Sequence, residues 1–441
     1  MNGVNQSSDL IESLLFPKVF QTFRMAVQPT KLAITFSALA VICAAGLIMD
    51  FFSKSVVEGS AETTELDVYM ASPERVEAFI KQYEDTGQRK GVFSTMWHFA
   101  GRNFQESLAA MFAFNFTAVA AHVRDYFKAA TWAFIYHPFY CAVFIVIKLV
   151  VVAIAGGSVC RISALQFAQG EKPGFTEAVR FGTARFWSFF IAPLLPVGVI
   201  VFCGAMIMLL GLITNFPRAG ELILGLSMPV ALFAGGLVAF FTIGLVVAFN
   251  LMYPSVAYDG CDCFDVIGRS FSYVFNKPWR MGLYTAVAAV YGAICYMFVR
   301  FSVFLLLFFT HFFLRTAIFA DATGGYDDKL NAIWAQPTFQ HLVGDDPFKG
   351  NWSESLSAVL VRLSLWFVVG LLVSFIISFY FSANTIIYAL MRNRVDGTPL
   401  EEVHSYSHPQ AIPNQPPIEP TSQGDLVSDS QEESESGGQS D

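Results

Sequence analysis

Six stretches of this chain are long, apolar and almost free of charge, and they limit its fold more severely than anything else in the sequence. They run from about Leu32 to Phe52, Phe134 to Ser158, Phe186 to Ile213, Leu222 to Tyr253, Met281 to Leu314 and Ala358 to Met391. A helix needs about 20 apolar residues to cross a hydrocarbon core about 30 Å thick, so each run is long enough to span one. With no water in that core to satisfy backbone polar groups, only helices and closed barrels can cross it. The runs are continuous, unlike the alternating strands of about 10 residues that build a barrel. The expected fold is therefore an all-α, polytopic membrane bundle. Composition agrees: 54% of the residues are hydrophobic, 14% are charged and 46 are Phe, which excludes an ordinary soluble domain. The net charge of −8 argues against a nucleic-acid partner, which requires a clustered basic surface.

A second feature organises the six runs. After the second, fourth and sixth, a glycine is followed within a few residues by Phe or Leu and then an acid, at Gly170 to Val179, Gly260 to Ile267 and Gly397 to Val403. This reads as three related hairpins returning to one side, with short amphipathic elbow helices leading into the next hairpin. Phe175, Ala178, Val179 and Phe181 mark the first elbow, and Phe264, Ile267, Phe271 and Val274 the second. Trp187 and Trp279 follow these elbows at positions suited to headgroup depth.

Basic residues in the short connections set the expected orientation. Lys18, Arg24 and Lys31 precede the first span, Arg161, Lys172, Arg180 and Arg185 lie between the second and third, and Arg269, Lys277 and Arg280 lie between the fourth and fifth. Both termini are thus expected to be cytoplasmic. Three regions follow: an amphipathic N-terminal segment (1–31), the six-span domain (32–403) and a disordered acidic tail (404–441). The first is read either as an interfacial helix or as a helix packed on the bundle. Two outer loops interrupt the membrane domain, a helical one (53–130) and an acidic one (315–356). Within the first, the stretch from Gly91 to Phe127 is amphipathic. Its middle is expected to dip into the interface rather than cross, because it offers only about 16 apolar residues around Asn115. The run Met281–Leu314 is read either as one tilted span or as a span plus an interfacial segment.

Chemistry-bearing residues are few. The first span is free of charge until Asp50 near its end, and no carboxylate is expected inside any of the six spans, which lowers the expectation of a proton-coupled transporter. Two cations do fall within apolar runs, Lys148 and Arg300, and they are the candidate contacts for an anion or a lipid phosphate. Snorkelling toward the headgroups is the alternative for both. No nucleotide-binding, hydrolase or zinc-protease pattern occurs, and the seven histidines and seven cysteines show no metal-ligand spacing, so neither catalytic residues, a metal nor a cofactor are expected. Small-xxx-small pairs at Ala231/Gly235 and Ala288/Gly292 mark expected helix contacts.

Tyr388-Ala-Leu-Met-Arg392 followed by Asp396-Gly397-Thr-Pro-Leu400, together with the GEKPGFTEAVRF and FSYVFNKPWR elbows, resembles the six-helix membrane domain attached to some bacterial glycerophosphodiester phosphodiesterases and its stand-alone relatives. The resemblance implies a bacterial inner-membrane location. Nothing in the chain matches the soluble phosphodiesterase barrel, so no catalytic positions are carried over. The leading expectation is a non-enzymatic scaffold or accessory of an envelope process, contacting protein partners through its outer loops or acidic tail. The competing one is a transporter or lipid-handling protein that binds anionic lipid near Lys148 and Arg300.

Overall fold

The computed structural model describes residues 16–59, 63–83, 87–216, 219–318, 329–339, 341–343 and 352–404. A 3-10 turn, Phe16–Gln21, leads into α1 (Thr22–Ala26) and then α2 (Pro29–Phe52). A small cap follows, made of β1 (Val56–Glu58), α3 (Glu65–Ala71), α4 (Val76–Gln82), β2 (Gln88–Lys90), α5 (Val92–Phe112) and α6 (Phe116–Tyr136). The chain continues through α7 (Pro138–Ala168), α8 (Phe175–Ala184), α9 (Phe186–Ile213), α10 (Ala219–Asp259), α11 (Cys263–Asn276), α12 (Pro278–Ala317), α13 (Lys329–Ile333) and α14 (Trp352–Asp396). Helices α2, α7, α9, α10, α12 and α14 are long and apolar enough to cross a membrane. Pro29, Pro138 and Pro278 open three of them at the first helical position, where a missing N–H costs nothing.

The three repeated glycines all adopt positive φ: +74° at Gly170, +64° at Gly260 and +70° at Gly397. A side chain there would meet its own backbone, so glycine ends each even-numbered span and lets the chain reverse. The elbows follow as helices α8 and α11. Their buried faces differ from the expected ones at the start, because Phe175 and Phe264 are exposed while Phe181, Ile267 and Phe271 pack inward. Trp187 and Trp279 are likewise exposed at the starts of α9 and α12. We call this side the elbow face, and the opposite side, which carries the cap, the loop face.

Several boundaries differ from the sequence reading. Spans α7, α10 and α14 extend to residues 168, 259 and 396, because buried polar side chains continue them beyond the apolar runs. Helix α12 is continuous over 40 residues, which settles the 281–314 run as one helix. Asp50 lies inside α2 and is buried, so the expectation of carboxylate-free spans fails there, for a reason given below. The stretch 91–127 breaks at Phe114, which has a φ of 55°, and at Asn115, whose side chain accepts the Ala118 N–H as the N-cap of α6. A reading of apolar periodicity alone missed that Asn at this position caps a helix. Of the N-terminal segment, residues 1–15 lie outside the described residues. Val19, Met25 and Ala26 are buried, and Ser378 of α14 donates to the Ala26 carbonyl, so the remainder packs on the bundle.

One core joins α1, α7, α8, α9, α10, α11, α12 and α14 near the elbow face, with Tyr258, Tyr273, Tyr284 and Tyr388 fully buried in it. Small residues admit neighbours closely. A Cβ at Gly292 would lie 2.7 Å from the Phe379 ring, and one at Gly156 would lie 2.7 Å from Phe381. Ala288/Gly292 is therefore a contact between α12 and α14, whereas Gly235 meets nothing and faces outward. A separate cluster around Val56, Leu66, Trp132 and Tyr140 holds the cap.

Candidate functional site

The cap is built around a carboxylate. Asp50, at the end of α2, accepts the Phe93 N–H at 3.0 Å, the Ser94 N–H at 2.8 Å and the Ser94 hydroxyl at 2.6 Å, and Tyr140 donates to it at 2.6 Å. The first N–H groups of α5 have no partner within their own helix, so Asp50 caps that helix from another element, where a negative charge also suits the helix dipole. A Cβ on Gly91 would overlap this carboxylate. Close approach, rather than a turn, is what requires glycine there.

Beside Asp50 opens a cavity of about 750 Å³. Among the described residues, Lys54, Arg89, Lys90 and Arg102 line it with two carboxylates, Asp50 and Asp67, and His98 lies beside them. Asp50 is committed to the α5 cap. Asp67 takes Arg102 at 3.3 Å and belongs to a capping box with Thr64. Burial alone would raise the Asp67 carboxyl, but the Thr64 hydrogen bonds and the Arg102 guanidinium outweigh it and hold the group below its ordinary range. Lys90 pairs with buried Glu58 at 2.6 Å across the β1–β2 ladder. Leu47 and Phe51 form the apolar rim where α2 leaves the bundle, and Phe51 is 77% exposed. A basic interior beside an apolar rim at a helix exit suits a headgroup phosphate attached to buried chains.

The cations singled out from the sequence are not brought together. Arg300 is buried, donates twice to the Phe339 carbonyl (3.2 and 2.8 Å) and once to the Tyr296 hydroxyl (2.8 Å), and lies 5.1 Å from the Phe339 ring. It pins the segment 329–343 to α12, together with His311, whose Nε2 lies 3.2 Å from the Trp334 carbonyl. Lys148 stands exposed on α7. Helices α7 and α12 share no packed interface. Residues 319–328 and 344–351 of the acidic loop lie outside the described residues.

Sequence reasoning placed Lys31 with the basic residues of a connection, but it is fully buried. Its ammonium donates to Gln166 at 2.9 Å and to Ser382 at 3.4 Å, and Ser382 also lies 3.0 Å from Ser163. Ser374, Ser378 and Ser382 recur every four residues on α14 and make a polar seam against α2 and α7. That spacing was legible in the sequence and went unread. Among the described residues no carboxylate pairs with Lys31.

The motif residues behind the resemblance converge at the elbow face. Asp259, at the end of α10, accepts from Arg392 at 3.0 Å, from Arg269 at 3.0 Å and from the Tyr388 hydroxyl. Arg392 also reaches the Glu402 carbonyl at 2.6 Å and lies over the Tyr258 ring. Tyr273 donates to Asp396, and burial followed by that carboxylate pushes its phenol up. Arg161 adds a bond to the Ala257 carbonyl at 3.0 Å. This network ties α7, α10, α11 and α14 together at the points where they turn.

The cap also holds a serine–histidine contact. Ser55 Oγ lies 3.2 Å from His137 Nδ1, and His137 Nε2 lies 3.8 Å from Glu65 Oε1. Glu65 is anchored by the Val57 N–H at 3.3 Å, and burial pushes its carboxyl up while it pushes the His137 imidazole down. The His137 and Glu65 side chains are 8% and 2% exposed, so the trio joins β1, α3 and α7 beneath the surface. Among the described residues no group of His, Cys, Asp and Glu could hold a metal ion.

The chain matches no protein-family model, no curated protein and no solved structure. What fold and comparisons together define is a class: a multi-pass helical membrane protein with six candidate spans and lipid-facing flanks. No family is identified for the chain; of the motif residues, Tyr273, Tyr388, Arg392 and Asp396 take part in the elbow-face network.

Proposed function

We propose that this protein is a non-enzymatic, lipid-handling component of a bacterial inner membrane, holding the headgroup of an anionic lipid in the cap. Both termini are cytoplasmic in this reading, and the cap faces outward. The observation that carries it is the cavity of about 750 Å³ in which Lys54, Arg89, Lys90 and Arg102 outnumber the carboxylates beside the exposed Leu47 and Phe51. Arg300 is spent on the Phe339 carbonyl, which moves the anion site from the sequence-derived pair to the cap. Lys148 remains in the proposal as a snorkelling contact from the outside of α7.

Native mass spectrometry of the full chain, extracted with its surrounding lipid, tests this. Phosphatidylglycerol retained over phosphatidylcholine by the wild type, and lost in Lys54→Glu/Arg89→Glu but kept in Lys148→Leu, is the expected result. Equal retention by the charge-reversed variant overturns it. A reproducible protein partner with no preferred lipid returns the protein to the scaffold class.

A further inference from the structure

Helix α5 borders two cavities. Ser94, His98 and Arg102 border the basic one, while Phe104, Leu108 and Met111 border a second of about 360 Å³. The two sets follow one another along the helix, residues 94–102 and then 104–111. No residue lining the second cavity is charged. Its walls are Ala288, Ala289 and Gly292 of α12 on one side and Phe375 and Phe379 of α14 on the other.

The depth of this chamber follows from the helices that bound α5. Phe93 lies against Gly46, which at about 1.5 Å per residue is roughly 25 Å along α2 from Pro29. Phe104 meets Tyr296, ring to ring at 5.5 Å, and Tyr296 is roughly 27 Å along α12 from Pro278 by the same rise. Two points on α5 thus sit at similar heights, so the helix lies across the bundle near the loop-face edge of a hydrocarbon core about 30 Å thick. The chamber lies beneath it and runs down α12 from Tyr296 to Thr285. That places it within the acyl region.

We propose that this chamber is a binding site for one acyl chain of a membrane lipid, roofed by α5. Its walls offer a hydrocarbon chain dispersion contacts and offer a charged group no counter-ion. At the lower end the Tyr380 hydroxyl donates to the Asn250 side-chain oxygen at 2.6 Å, and Ser107, Thr285 and Asn384 are the other uncharged polar side chains among mostly apolar lining. An apolar space of this size does not favour water, and at this depth the abundant filler is lipid chain. Gly292 lets the Phe379 ring pack directly on α12, so the two walls meet there. The site is distinct from the headgroup cavity, since the two share no lining residue.

Photolabelling tests the proposal. The full chain is reconstituted in nanodiscs containing phosphatidylcholine with a diazirine on one acyl chain, irradiated, digested and mapped by mass spectrometry. Labelling at Met111 and Ala289 is expected to exceed that at Leu232, an exposed side chain on the outside of α10, by about tenfold. Ala289→Trp, which fills the chamber, should abolish the excess while leaving Leu232 labelled. Met111→Trp fills it from the roof and keeps the test available if the first variant does not fold. Labelling of the chamber no higher than that of Leu232, or an excess unchanged in a folded filled variant, overturns the proposal. Using a zwitterionic probe means that loss of the anionic-headgroup preference leaves this result untouched.

Discussion

Replacing Asp259 by Ala removes the one carboxylate shared by Arg392, Arg269 and Tyr388, and the structure sets the size of the effect. The Asp259 side chain is 5% exposed and that of Arg392 is 9%, so the truncation leaves a buried guanidinium with Glu402 as its remaining partner and takes the carboxylate from the fully buried Tyr388 phenol. Breaking a buried ion pair from one side costs about 3–5 kcal/mol. The Arg269 arm adds little, because that side chain is 45% exposed and solvent screens it. At roughly 2–4 °C per kcal/mol for a large domain, the variant should lose on the order of 10 °C in apparent Tm, read in detergent at one fixed scan rate. Asp262→Ala is the matched control. It lies three residues away, is 83% exposed and meets Arg185 only at 3.8 Å, a contact worth about 0–1 kcal/mol. Equal Tm values for the two variants would refute the assignment of Asp259 as the hub of the elbow face. A large loss for Asp259→Ala with most of it recovered in Asp259→Asn would locate the effect in the Tyr388 hydrogen bond rather than in the charge.

Three further outcomes follow from the same geometry. Gly91→Ala places a Cβ in the space of the Asp50 carboxylate, so hydrogen exchange in residues 92–96 should accelerate at least tenfold, and unchanged protection would refute the capping role. Arg300→Leu leaves the Phe339 carbonyl without its donor, at a cost of about 1–3 kcal/mol, and should expose residues 329–343 to proteolysis while the elbow face stays protected. Glu65 carries a pH prediction: its folded pKa is raised by burial, so its ionised form costs stability above that pKa, and the cost fades as pH falls toward the unfolded value of about 4.3. Glu65→Gln should therefore melt above the wild type at pH 8 and level with it near pH 4. A gap that widens on acidification would reverse the sign and defeat the argument. His137, lowered by burial, works oppositely in both proteins below about pH 6.5, which is why the comparison is made between variants.

The class of this protein was legible because it depends on local composition. A run such as Leu222 to Tyr253 cannot remain in water at acceptable cost, and in hydrocarbon it can satisfy its backbone only as a helix, so its fate is decided within the run. The glycine turns were legible for a similar reason. Positive φ penalises any side chain at that residue, and Gly170, Gly260 and Gly397 announce it one position at a time. Lys31 and Asp50 were not legible in this way. Each looked like an ordinary charge at the end of a span, yet one is sealed among Gln166, Ser163 and Ser382 and the other caps a helix that begins 42 residues later, at Val92. The Arg300 reading had the same weakness, since its acceptor, the Phe339 carbonyl, belongs to a loop whose path the sequence does not state.

The sequence alone therefore determined that the chain carries six helices long and apolar enough to cross a membrane and where it reverses, because helix formation in hydrocarbon and left-handed backbone at glycine are settled by neighbours along the chain. Only the tertiary structure decided which charges are used up and which line a cavity. A carboxylate or guanidinium takes its role from partners tens to hundreds of residues away, as Asp259 does from Arg392, and no local pattern encodes that distance.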